Sequence, residues 1–293
     1  MHRRGVRHPS IRSQRFASNE ICPVVPRFKL TIEYLGTRYS GWQIQKNART
    51  VQGEIDRAVR LVTSRNDFEL YGSGRTDAGV HATGQVAHLD VSTSLTPLLL
   101  VQRLNDALPP DINLLSATIV PHRFHARHDA VARRYVYQIA RRRTAFHKAT
   151  VWWVKDPIDV QRMREAARAF VGFRDFRYFA DTDTDDETNG RSRSTDVKVE
   201  RVDVIESAGL VLIVVEGSHF LWKMVRRMVG VLVEAGRGRI DANAASRYLT
   251  EESGAPARLT APPSGLFLAR VFYAGDSREG VIEPLTPIAG SSQ

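Results

Sequence analysis

The chain has 293 residues, 42% hydrophobic and 25% charged, proportions of a globular protein with room for one large core or two modest ones. No run approaches the roughly 18 apolar residues of a membrane span, and the single cysteine, Cys22, excludes an intrachain disulfide and a cysteine-built metal site and fits a reducing compartment. With 42 Lys+Arg against 32 Asp+Glu the formal net charge is +10, which suits a polyanionic partner through counterion release and also suits plain solubility.

Residues 1–26 form a basic leader. Its "MHRRGVRHPSIRSQRFAS" has no acidic residue and no apolar h-region, so it is not a secretory signal. A flexible leader is the first reading, with an organellar transit peptide or a phosphate-contacting arm as alternatives. Period-2 and period-3.6 patterns then predict a strand over "RFKLTIEYLG", a helix over "TVQGEIDRAVRLVTS", strands over "FELYGSG" and "GQVAHLDV", a helix over "TPLLLVQRLNDAL" and a strand over "INLLSATIV". Beyond a boundary near residue 125 the order repeats. There is a strand over "ARRYVYQIA", a helix over "DVQRMREAARAFVG", a hairpin over "STDVKVERVDVIES" and "GLVLIVVEGSH", a helix over "FLWKMVRRMVGVLVEAG" and a strand over "GLFLARVFY".

Strand, helix, strand, strand, helix, strand, read twice, predicts an α+β fold. It has two ferredoxin-like halves with mixed, mainly antiparallel sheets, flanked by helices, and an active-site cleft between them. The halves are assigned to 27–125 and 126–274, and 275–293 to a flexible tail whose turn-forming composition has no periodicity.

Four glycines surround one arginine and one carboxylate in "YGSGRTDAGVHATGQ". After Gly72 and Gly74 the next glycine is Gly79, too far on for a dinucleotide fingerprint, and Val80 and His81 follow it where a phosphate-binding loop needs Lys and Ser or Thr. What remains is a tight loop after a strand, with Asp77 at its centre either as a turn-closing residue or as a chemical group. The aspartates of "DTDTDDETNG" fail as a calcium loop, since Asp186 stands where Gly is required and Ser192 where Glu is. That segment reads as an exposed acidic insertion. His122, His125 and His128 do not have the spacing of a zinc helix. In "ARHDAVARRYVYQIARRR", Tyr135 and Tyr137 fall on one strand face beside Arg133, Arg134 and Arg141 to Arg143. Such a face can stack an unpaired base while arginines hold phosphates, or can be a half-buried sheet with a basic edge.

"GSGRTDAGVHATGQVAHLD" resembles the catalytic motif of the TruA-type tRNA pseudouridine synthases. "IEYLGTRYSGWQIQ", "FHARHDAVARRYVYQI", "FLWKMVRRMVG" and "GLFLARVFY" are similar to further segments of that family in the same order, together spanning roughly residues 27 to 274. The resemblance implies conversion of uridine to pseudouridine at positions 38, 39 and 40 of the tRNA anticodon stem-loop, without a cofactor or metal and with Asp77 as nucleophile. It implies substrate-binding roles for Tyr135 (stacking on the flipped base), Arg75 (taking the vacated place or holding a phosphate), Arg226 (pairing with Asp77) and Leu266 (an apolar wall). It further implies a cytoplasmic homodimer that binds tRNA and no membrane. Tyr137 has no implied role. The leader and the acidic insertion lie outside the family pattern, and Leu-Trp-Lys stands in "FLWKMVRR" where histidines often stand. The alternative is a non-catalytic RNA-binding or tRNA-folding protein on the same scaffold, which does not require Asp77.

Overall fold

Strand β1 (Arg27–Tyr34) alternates half-buried and buried residues along its whole length, the period-2 pattern of a strand with one face on a core. Helix α1 (Val51–Thr63) opens where the Thr50 hydroxyl accepts the Gly53 N–H at 3.2 Å, and it buries Val51, Ile55, Ala58 and Val59 along one stripe. Strands β2 (Glu69–Gly72) and β3 (His81–Asp90) follow, then α2 (Pro97–Ala107), capped by Thr96 with Pro97 in its first turn, and β4 (Ile112–Val120). The computed structural model describes residues 25–181, 194–207, 209–241 and 243–288. Cys22, the leader to residue 24 and the acidic insertion beyond Asp181 lie outside them.

The order then repeats with additions. Strand β5 (Ala130–Ala140) is followed by β6 (Trp152–Trp153), α3 (Val160–Ala167), β7 (Gly172–Asp175), β8 (Asp196–Ser207), β9 (Leu210–Gly217), α4 (Met224–Gly236), α5 (Ala244–Thr250), α6 (Ala255–Arg258) and β10 (Leu266–Tyr273). The pattern over 159–172 predicts one helix, but α3 ends at Ala167 and the chain passes through a 3₁₀ turn into β7. The helix predicted from residue 220 starts at Met224, because Lys223 adopts φ 61°, a left-handed conformation that breaks the helical run.

Among the described residues the strands form one sheet of ten, in the order β4-β1-β3-β10-β5-β9-β8-β7, with β2 also on β3 and β6 also on β5. Both β4-β1-β3-β2 and β10-β5-β9-β8 follow the ferredoxin-like order. The sheets of the halves are continuous, joined by parallel pairing of only Phe267 with His81 and Leu268 with Ala82. One edge of β3 is shared: β2 pairs with Ala87 to Asp90, and β10 takes over at His81 and Ala82. The loop from Ser73 to Val80 leaves the sheet at this handover.

Of the residues after β10, 274–288 are described and have neither helix nor strand, and part of this segment is tied to the sheet. The Gln138 side-chain oxygen accepts the Leu285 and Thr286 N–H groups at 2.8 and 3.2 Å, and Ile288 packs with Ala140, Val151, Leu210 and Leu212. These described residues lie against the face of β5 that carries Gln138 and Ala140, opposite Tyr135 and Tyr137.

On β3, the buried His88 ring stacks on Tyr71 and meets His125 edge-on at 4.8 Å, and its Nδ1 accepts the Ala126 N–H. Burial, helped by the positive Arg27 and His125 and opposed by Asp90, pushes its pKa down to about 4. A histidine whose folded pKa is depressed contributes stability that is full above its unfolded value, near 6.5, and is lost as pH falls through the folded value. Between pH 7.5 and 4 this single group accounts for roughly 2–4 kcal/mol. Urea midpoints for wild type and His88→Gln across that range measure it, the variant giving the shallower slope; parallel curves would contradict the assignment.

Candidate active site

The Ser73–Val80 loop is fixed from several sides. The Trp42 N–H donates to the Thr76 carbonyl at 3.1 Å, the Gly79 N–H to the Tyr39 carbonyl at 3.2 Å, and the Val80 N–H to the Asp77 carbonyl at 3.1 Å. The buried Tyr34 and Thr76 hydroxyls share a 2.8 Å hydrogen bond. Gly79 has φ 79°, a conformation that only glycine adopts without strain, and it closes the turn behind Asp77. Gly72 lies flat under the Trp42 indole, where a Cβ would come within 2.6 Å of the ring. At the loop's base Ser73 Oγ donates to Gln85 Oε1 at 2.8 Å and Gln85 Nε2 donates to the Gly74 carbonyl at 3.0 Å. Asp77 is therefore presented by a braced loop, with its side chain still 20% accessible.

Arg226, in the first turn of α4, reaches Asp77 across 149 residues of sequence. Its Nη1 lies 3.1 Å from Asp77 Oδ2, and its Nε donates to the Ala261 carbonyl at 2.8 Å. The guanidinium is thus aimed by a second contact, and the pair joins the two halves at their seam. Helix α4 is held close by Gly230, whose position against the Leu259 carbonyl leaves no room for a Cβ. Beyond Arg226, Arg227 and Lys223 both clamp Asp181, the first residue of the acidic insertion and the one of its residues that is described.

Tyr135, on β5, is 9% exposed with its ring edge-on to Phe220 at 5.2 Å. Burial raises its phenol to about 12, Arg133 opposing the shift and the Asp77 charge adding to it. Tyr137, on the same strand face, is sealed: its hydroxyl donates to the Pro262 carbonyl at 2.8 Å and its ring meets Trp152. Leu266 starts β10 in register with Tyr137 and is 5% exposed, and Leu268 is in register with Tyr135. Arg75 is exposed on the loop beside Asp77. The structure thus brings Asp77, Arg226 and Tyr135 into one electrostatic neighbourhood, puts Leu266 on the adjoining strand, and sets Arg75 at the rim.

Two arginines of the basic stretch are not the phosphate ligands the sequence suggests. Arg134 is 8% exposed and pairs with buried Glu216 at 2.7 Å. Arg133, 9% exposed, spends its guanidinium on backbone carbonyls, that of Ser73 included. Gln85, Tyr34, Trp42 and His81 help build the site and were not singled out from sequence. For Tyr34 and Gln85 the available signal was an aromatic or polar residue inside a predicted strand, whereas Trp42 and His81 fall outside the predicted strands. Among the described residues no group of three or more His, Cys, Asp or Glu could hold a metal ion, and no helix is long and apolar enough to cross a membrane.

A braced carboxylate paired with an arginine from the other half, beside a buried tyrosine on one shared sheet, marks the candidate catalytic seam of a two-half α+β fold. Comparison with known proteins identifies the family. A family model described as tRNA pseudouridine synthase matches residues 30–129 and 166–274. Three curated proteins named tRNA pseudouridine synthase A are similar over most of the chain. The protein from Nitrobacter hamburgensis is 41% identical over 85% of this chain and the whole of its own length. That from Nitrobacter winogradskyi is 41% identical over 86% of this chain and 97% of its own. That from Rhodopseudomonas palustris is 40% identical over 85% and 100%. The chain belongs to the tRNA pseudouridine synthase family, whose members isomerise uridine to pseudouridine in tRNA.

Proposed function

We propose that the chain acts as a homodimer in the cytoplasm on uridines 38, 39 and 40 of the tRNA anticodon stem-loop, with Asp77 as nucleophile. The observation that carries this reading is the Asp77–Arg226 pair at 3.1 Å on a loop braced from both halves. The reaction breaks the bond from ribose to uracil N1, turns the base and joins the ribose to C5, which gives up its proton while the freed N1 gains one. Atoms and electrons balance within the nucleotide, so no redox partner or phosphate donor takes part. In each route open to a carboxylate, attack on the anomeric carbon, attack on the ring or elimination at the sugar, Asp77 must reach the same nucleoside with its oxygen bare and aimed. Arg226 holds that aim.

The target base leaves its stack at a cost of a few kcal/mol, which new contacts must offset. In this reading Tyr135 stacks on the flipped base and Leu266 walls it, while exposed Arg75 takes the vacated place or a phosphate. With its phenol raised to about 12, Tyr135 is neutral at physiological pH. It can therefore take the C5 proton only in step with releasing its own. The net charge of +10 supports docking of a polyanion.

Site-resolved pseudouridine mapping on unmodified tRNA transcripts tests the reading. New signal at positions 38 to 40 is the expected result. Signal elsewhere in the tRNA would move the target site, and tight binding without any signal would favour the RNA-binding or tRNA-folding alternative.

A further inference from the structure

Residues 141–150, between β5 and β6, read "RRRTAFHKAT", with three arginines, a lysine and a histidine around one phenylalanine and no acid. Phe146 is 95% exposed, the most exposed large apolar side chain among the described residues. Arg141, Arg142, Arg143 and Lys148 are exposed around it. A ring standing almost wholly in water is not serving the fold.

The base of this loop is fixed to the catalytic segment. The buried His81 Nδ1 accepts the Gly36 N–H at 2.9 Å, so Nε2 carries the proton and donates to the Ala149 carbonyl at 2.9 Å and the Ser264 carbonyl at 3.1 Å. His81 opens β3 four residues after Asp77, and one imidazole thus ties the Phe146 loop to the Asp77 loop. The register agrees, since His81 pairs with Phe267, and Phe267 with Val136. Strand β5 ends four residues further on, about 13 Å beyond that level. Both loops emerge from the same end of the sheet.

We propose that Phe146 stacks on an unpaired base of the bound tRNA other than the reacting uridine, with the surrounding basic side chains on the flanking phosphates. The inference rests on the tRNA reading above and adds a second point of contact to it. An aromatic ring is a platform for any base, and the cations beside it match a backbone that carries a phosphate at every step. A second copy of the chain fits less well. Phe146 is flanked by Ala145 and His147 in place of an apolar patch, and another chain of net charge +10 brings like charge to a basic loop.

Steady-state kinetics and filter binding on an unmodified tRNA transcript test this with Phe146→Ala and Phe146→Trp, a fully paired RNA duplex serving as control. Phe146→Ala should raise KM and Kd for tRNA about tenfold and leave duplex affinity unchanged, and Phe146→Trp should stay within about twofold of wild type. A tRNA Kd unchanged by Phe146→Ala, or an equal loss on the duplex, would overturn the proposal. So would a shift to a smaller species in sedimentation, which would assign Phe146 to a contact between copies. If the wild type makes no pseudouridine on any tRNA, the functional reading fails by itself, and the Kd comparison still decides whether Phe146 stacks.

Discussion

Asp77→Asn is expected to lower pseudouridine formation by about 10⁴-fold or more while tRNA affinity stays within about threefold of wild type. The substitution keeps the shape of the side chain, so the Thr76, Gly79 and Val80 contacts that brace the loop are backbone or neighbouring groups it does not touch. What it removes is the charge facing Arg226 at 3.1 Å and with it the anionic oxygen able to form or assist a bond to the nucleoside. Arg226 keeps its bond to the Ala261 carbonyl at 2.8 Å and so stays near its position. Loss is thereby confined to chemistry. Mapping at single-nucleotide resolution and filter binding on the same preparation measure the two quantities. Turnover within tenfold of wild type would remove Asp77 from the reaction. A parallel collapse of tRNA binding would make it a structural residue.

The two-half architecture was legible because each half writes out its own period-2 and period-3.6 runs. The structure adds that Thr50, Thr96 and Asp159, the first residues of three of the predicted helical runs, cap those helices. The continuity of the sheet was not legible. It depends on two residue pairs between β3 and β10, 186 positions apart for Phe267 and His81, and no local pattern encodes so distant a meeting. Within the site, the tight turn around Asp77 could be read from Gly72, Gly74 and Gly79, but whether the carboxylate closes a turn or faces a substrate depended on Arg226, which only the fold brings to it. The arginines of β5 misled for a related reason. A basic residue on a strand reads as a solvated edge, whereas Arg133 and Arg134 sit over carbonyls and Glu216 inside the sheet. The acidic insertion lies outside the described residues except for Asp181, whose clamp by Lys223 and Arg227 no spacing rule foretells.

Arg133 carries the largest expected effect on stability. Its Nη1 donates to the Ala130 and Ser218 carbonyls at 3.1 and 2.8 Å, and its Nη2 to the Ser73 and Arg127 carbonyls at 3.0 and 2.9 Å. One planar guanidinium therefore fastens the connection into β5, the start of the Asp77 loop and the turn after β9. Burial lowers its pKa, yet an arginine so placed remains charged. Arg133→Met fills most of the space and leaves those carbonyls without their donor, at a cost of about 3–5 kcal/mol once partial access by water is allowed for. Thermal unfolding should then begin about 10 °C earlier, at the few degrees per kcal/mol typical of this chain length. Because Ser73 is among the released groups, kcat/KM should also fall at temperatures where the variant is fully folded. Arg133→Lys separates charge from geometry: it keeps the positive group beside Tyr135 but cannot reproduce the fork, so it should recover less than about half of the lost stability. Equal stability of Arg133→Met and wild type would mean that water satisfies the carbonyls and that the fork is incidental. Full recovery by Arg133→Lys would mean that the charge, felt by Tyr135, is what the site needs from this position.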